Sequence, residues 1–179
     1  MPLHTTVLKG LVLASCLAAS AAWAETPLVT CVLGASTTTY NPGVTNTPRD
    51  VTYQSTTHFP ACVTGIFRPI TSAVADTGNV LHEDLTCLEL VRPLFPTQAT
   101  FFWSDGGFST VTLTQTRMEV EGTTTLLVGT GTVTAGRYLN AIATRTLSSA
   151  NVDVTQGCLS AEGLKRTNGM ASLVLALPD

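Results

Sequence analysis

The chain has 179 residues, 44% hydrophobic and only 12% charged, with nine Lys or Arg against twelve Asp or Glu and a formal net charge of −3. That length suits one domain with a substantial core. A sparse, mildly acidic charge set with no basic cluster argues against nucleic acid or an anionic membrane as a partner.

In chain order, the first 24 residues read as a secretory signal. Lys9 supplies a positive start, residues 10–22 are apolar or small, and Ala22-Trp23-Ala24 gives an A-x-A cleavage site before Glu25. The organisation expected is therefore a signal peptide over 1–24 and a single secreted β domain over 25–179. The apolar run is too short and too rich in small residues for a membrane span. An alternative lies inside the same stretch: Leu13-Ala14-Ser15-Cys16 resembles a bacterial lipobox, which would anchor the chain to the cell envelope through a lipid on Cys16. Loss of the signal removes Lys9 and leaves eight basic residues against twelve acidic ones.

Four cysteines follow the signal: Cys31, Cys62, Cys87 and Cys158. An even count behind an export signal points to two disulfides, and no C-x-x-C motif supports a redox site or zinc ribbon. Thr and Val are abundant, and β-branched side chains fit a pleated sheet better than a helix. Strands are expected near 36–40, 51–58, 85–91, 99–103, 108–120, 123–134, 138–147 and 170–177. Turns at Ser104-Asp105-Gly106-Gly107, Glu121-Gly122 and Ala135-Gly136 make adjacent strands antiparallel. Val111 and Leu113 alternate with Thr110, Thr112 and Thr114, and Leu173, Leu175 and Leu177 form another period-two face. Residues 63–84 read as loop, and 159–165 as at most one helical turn.

The stretch from Cys31 to Cys62 has two Thr-rich arms around Pro42-Gly43 and Pro48. A hairpin register centred between Asn46 and Thr47 places Cys31 opposite Cys62, whereas loop ends at Tyr40 and Val51 shift the partner by two residues. Either register favours a Cys31–Cys62 bridge, leaving Cys87–Cys158 by elimination among the three connectivities four cysteines allow. Each bridge contributes about 3–4 kcal/mol by restricting the unfolded chain, reason enough for its presence without chemistry.

The run Thr38-Thr39-Tyr40-Asn41-Pro42-Gly43, followed by Thr47-Pro48-Arg49-Asp50-Val51-Thr52 and Cys62, resembles the opening of small secreted four-cysteine β-rich proteins of actinobacterial type. Gly131-Thr132-Val133-Thr134-Ala135-Gly136-Arg137-Tyr138 is similar to a later hairpin of theirs. The likeness spans most of the chain after the signal, and it implies no activity and no functional residue. A second likeness, to chaperone–usher pilins with their early disulfide, stops at the C-terminus, where residues 171–179 lack an aromatic-terminated strand.

Chemistry-bearing clusters are few. His82-Glu83-Asp84 begins like H-E-x-x-H, but Thr86 stands where the second His is needed. His58 and His82 are the histidines available to a catalytic triad, and no G-x-S-x-G elbow accompanies them. No phosphate loop, dinucleotide fingerprint or other cofactor motif occurs. Phe101-Phe102-Trp103 and Phe108, beside Asp105, are the best surface candidate, because consecutive aromatics on a strand point to both faces.

The expectation is an all-β chain: an antiparallel β-sandwich, Ig-like or Greek-key-like, held by two disulfides. Its expected role is a non-catalytic extracellular or cell-envelope binding or structural module. Phe102, Trp103, Asp105 and Phe108 are the candidate contacts to an extracellular protein or glycan, with no metal, no cofactor and no membrane span. The alternatives are a small secreted hydrolase or carbohydrate-active protein, and a secreted protease inhibitor presenting 63–84.

Overall fold

A computed structural model describes residues 27–65, 69–91 and 97–178. The expected signal segment, its cleavage site and Cys16 lie outside the described residues. Ten strands and one helix form in the order β1 (Pro27–Val44), β2 (Arg49–Phe59), β3 (Ala61–Thr64), β4 (Ala73–Asp76), β5 (Val80–Leu85), β6 (Thr97–Trp103), β7 (Phe108–Glu121), β8 (Thr124–Gly136), β9 (Ile142–Ala150), α1 (Asn151–Leu159) and β10 (Leu164–Ala176). A 3-10 turn, Glu89–Val91, follows β5. The fold is all-β and antiparallel, with disulfides Cys31–Cys62 and Cys87–Cys158.

The two layers that pack against each other are opposite walls of one sheet. Its order runs β1-β10-β9-β8-β7-β6-β4-β2, and the pairing of β1 with β2 joins the ends into a barrel of eight strands. Closure removes sheet edges that would otherwise expose unpaired backbone groups. It depends on the length of β1, whose 18 residues pair with β10 on one side and with β2 and β3 on the other. The β1–β2 register is the one centred between Asn46 and Thr47: Tyr40 faces Tyr53, Ala35 faces His58, and further along Cys31 faces Cys62. The first bridge thus joins residues directly opposite on neighbouring strands.

Alternation decides which side chains enter the barrel. One end is a solid plug of Val29, Cys31, Phe59, Phe101, Trp103, Val111, Val133, Leu173 and Leu175, all buried. Phe101 stacks between Phe59 and Trp103, with ring centroids 6.1 and 5.9 Å away. The other end has a smaller cluster of Val44, Val51, Leu85, Cys87 and Leu164, onto which Tyr40, Leu90, Val154 and Cys158 pack. The second disulfide is part of that cluster and fastens α1 to the segment after β5.

Three local expectations are corrected. Residues 85–91 leave the sheet after Leu85 and turn into the 3-10 element. Residues 63–84 contain β4, most of β5 and the end of β3; strands of four to six residues are too short to show a clear period. The helix falls at Asn151–Leu159, before the expected 159–165 turn, and Leu164 already begins β10. Among the described residues no helix is long and apolar enough to cross a membrane, and the two disulfides suit an oxidising compartment.

Candidate functional site

The aromatic residues singled out in the sequence divide between the two faces of β6 and β7. Phe102 and Phe108 pair across the strands outside the barrel and are 54% and 48% exposed. Trp103 points inward, is buried in the plug, and donates its indole N–H to Ser109 Oγ at 3.0 Å. Asp105 sits in the intervening turn, accepts the Gly107 N–H at 3.1 Å, and forms an ion pair with Arg137. The Arg137 side chain, then the Gly107 amide, hold its carboxyl below the usual value. Gly106, at φ 82°, supplies the left-handed turn position. The geometry brings Phe102 and Phe108 together and separates Trp103 from them.

His58 lies exposed on β2. His82 lies on β5, its Nδ1 2.9 Å from the Glu83 carbonyl oxygen. Among the described residues no three His, Cys, Asp or Glu side chains converge on a metal position.

Among the described residues, the larger of two concave sites lies in the barrel lumen. Between the plug and the smaller cluster lies a cavity of about 700 Å³, within the range of about 300–1,000 Å³ typical of small-molecule sites. Its two walls differ in chemistry. On the β1–β2 side, inward residues meet as cross-strand pairs: Thr38 with Ser55 and Tyr40 with Tyr53 line the cavity, and Ser36 with Thr57 lie beyond its lining, toward the plug. The two Ser–Thr pairs are hydrogen-bonded, Thr57 Oγ1 donating to Ser36 Oγ at 2.9 Å and Thr38 Oγ1 to Ser55 Oγ at 3.1 Å. The Tyr40 and Tyr53 rings lie 6.4 Å apart, and burial pushes both phenols above their ordinary pKa, so they stay neutral donors. The facing wall, from β7, β8 and β9, is mainly apolar, with Leu113, Leu127 and Leu147 beside Thr116 and Arg145.

Arg145 stands where the plug gives way to the cavity. It shares the inner face of β9 with Ala143, which belongs to the plug, and with Leu147, which lines the cavity. Gly129 is its partner on β8 and also lines the space; a Cβ there would come within 2.9 Å of Leu113 Cδ1. The guanidinium crosses the lumen to β2 and donates from Nη2 to Thr57 Oγ1 at 2.7 Å. Arg145 is 6% exposed, its Nε is buried without an acceptor, and it forms no ion pair among the described residues. Desolvation lowers its pKa to about 10, so it remains charged at neutral pH.

A second space of about 360 Å³ continues under α1, sharing Tyr40, Leu90, Leu127 and Leu147 with the first. His82, Glu83, Asp84 and Glu89 border the larger cavity along β5 and the 3-10 turn. The Glu89 carboxylate is engaged by the Thr86 backbone N–H at 2.8 Å and by its hydroxyl at 3.1 Å.

Searches of protein-family models, of curated proteins and of solved structures find no match to this chain. Arg145 was not among the residues singled out by sequence reasoning, although a signal exists. In Ala143-Thr144-Arg145-Thr146-Leu147 the odd positions form an apolar face interrupted by one full charge.

Proposed function

We propose that this chain is a non-catalytic extracellular binding module whose ligand is a small, partly apolar molecule held inside the barrel. The observation that carries the reading is the roughly 700 Å³ lumen, with a wall of leucines facing a wall of hydroxyls and phenols. Apolar surface leaving water supplies affinity, and a few fixed polar groups supply orientation. The sheet that surrounds this space closes on itself, with one disulfide tying β1 to β3 and the other tying α1 to the segment after β5, so the site is largely pre-formed and little ordering opposes binding. Secretion fits the export-type N-terminus and the disulfides. A hydrolase would draw on His82, which borders the cavity with Glu83 and Asp84 and has its Nδ1 2.9 Å from the Glu83 carbonyl oxygen, since His58 lies on the outside of the sheet.

The test is fluorescence titration with 1-aminoanthracene, a neutral probe that brightens in apolar surroundings. Saturable enhancement with the native chain, weakened by Leu127→Trp, which narrows the lumen, is the expected result. No enhancement, or equal enhancement by the variant, counts against a luminal site.

A further inference from the structure

An isolated guanidinium inside a barrel is expensive to keep. Moving a charge from water into an apolar interior costs several kcal/mol unless a counter-charge and hydrogen bonds replace the lost hydration. Among the described residues the Arg145 side chain has one hydrogen bond, to a neutral hydroxyl, and a buried Nε with no acceptor. Its planar fork offers five donors in a geometry matched to a carboxylate, which accepts two of them side by side. The chain brings no carboxylate to it among the described residues. The Nε is closed off from the cavity, so the donors that Arg145 can turn toward a ligand there are the Nη hydrogens not used by Thr57.

We propose that the lumen binds a monocarboxylate with an apolar body, its carboxylate seated on Arg145 and its body lying along Leu113, Leu127 and Leu147. This rests on the reading of the lumen as a binding site and names what it selects. The geometry follows from positions already given: Arg145 marks the deep end of the cavity, and Leu147 is the next inward residue of the same strand. Thr57 holds the guanidinium in place and is itself held by Ser36. Gly129, opposite Arg145 on β8, contributes no side chain to the space beside it. The border residues Glu83, Asp84 and Glu89 set a limit at the other end. A second negative charge on the ligand would meet like charges there, so the distal end is neutral.

Isothermal titration calorimetry, with probes kept below their micellar concentrations, tests this on the full disulfide-bonded chain. The probes are dodecanoate, dodecan-1-ol and dodecanedioate, equal in chain length and different in end groups. The native protein binds dodecanoate about tenfold or more tightly than dodecan-1-ol, the ratio expected for a charge-assisted hydrogen bond in a buried site. It binds the diacid more weakly than the monoacid. In Arg145→Met the preference of acid over alcohol disappears. Equal binding of acid and alcohol by the native protein overturns the proposal while leaving the luminal site standing. Binding of none of the three overturns both. The native comparison needs no variant, so it decides the matter even if Arg145→Met fails to fold.

Discussion

Replacing Arg145 with Met separates what the guanidinium does for a ligand from what it costs the fold. Burial lowers its pKa from 12.5 to about 10. At about 1.4 kcal/mol per tenfold change, the charged form is disfavoured by about 3 kcal/mol in the ligand-free barrel. Both values lie above pH 7, so the full penalty is present at neutral pH. Against it stands one hydrogen bond to Thr57, of roughly 1 kcal/mol net. Thr57 keeps its bond to Ser36 in the variant. Methionine is flexible and close in length, and fills the space without a polar atom that needs a partner. The ligand-free variant is therefore about 2 kcal/mol more stable than the native chain. At roughly 2–4 °C per kcal/mol for a domain of this size, its Tm rises by about 4–8 °C. Thermal unfolding followed by circular dichroism at pH 7, with disulfides intact and bound lipid stripped, measures this. A lower Tm for the variant would refute the reasoning, because it would make Arg145 a structural brace between β9 and β2.

Other perturbations probe separate parts of the account. Leu147→Glu places a carboxylate two residues from Arg145 on the same inner face, so an internal ion pair forms and dodecanoate binding falls at least tenfold by calorimetry. Changing Cys87 and Cys158 together to Ser opens a loop of 71 residues and lowers stability by about 4 kcal/mol in urea unfolding. Changing Phe102 and Phe108 together to Ser leaves Tm and probe affinity nearly unchanged, since both rings lie outside the barrel. Asp105→Asn lowers Tm at pH 7 by breaking the turn's ion pair with Arg137. The Asp105 carboxyl is depressed below its ordinary value of 3.8, so its contribution is present above that value and lost as pH falls through the folded one. Melting curves of native and variant chains accordingly converge only as pH falls below the ordinary carboxylate value and through the lower folded one.

Much of the sheet was legible because its signals are local. Turn residues and alternation locate β6, β7 and β8 to within a few residues, and the spacing of Cys31 and Cys62 about the Asn46–Thr47 midpoint offers the observed β1–β2 register as one of two that differ by two residues. Closure of the sheet was not legible. Period-two patterning says which face of a strand is buried, but not that β1 and β2 will join the two ends of a strand order. The α1 segment, Asn151-Val152-Asp153-Val154-Thr155-Gln156-Gly157-Cys158-Leu159, has two valines, a glycine and no apolar stripe, so helical periodicity is absent. It is held through Cys158 and Val154 instead. The site escaped for the same reason as the barrel. Tyr40, Tyr53, Leu113, Leu127, Arg145 and Leu147 are scattered over five strands and meet only when the lumen is enclosed. The aromatic run drew the eye toward β6, where alternation sends Trp103 into the plug and leaves Phe102 outside.

The most direct test is solution NMR of the native chain with uniformly carbon-13-labelled dodecanoate, reading intermolecular nuclear Overhauser effects. A ligand in the lumen gives cross-peaks from its methylene protons to the methyl groups of Leu113, Leu127 and Leu147. Cross-peaks confined to the rings of Phe102 and Phe108, or none to any of the three leucines, would contradict a binding site inside the barrel.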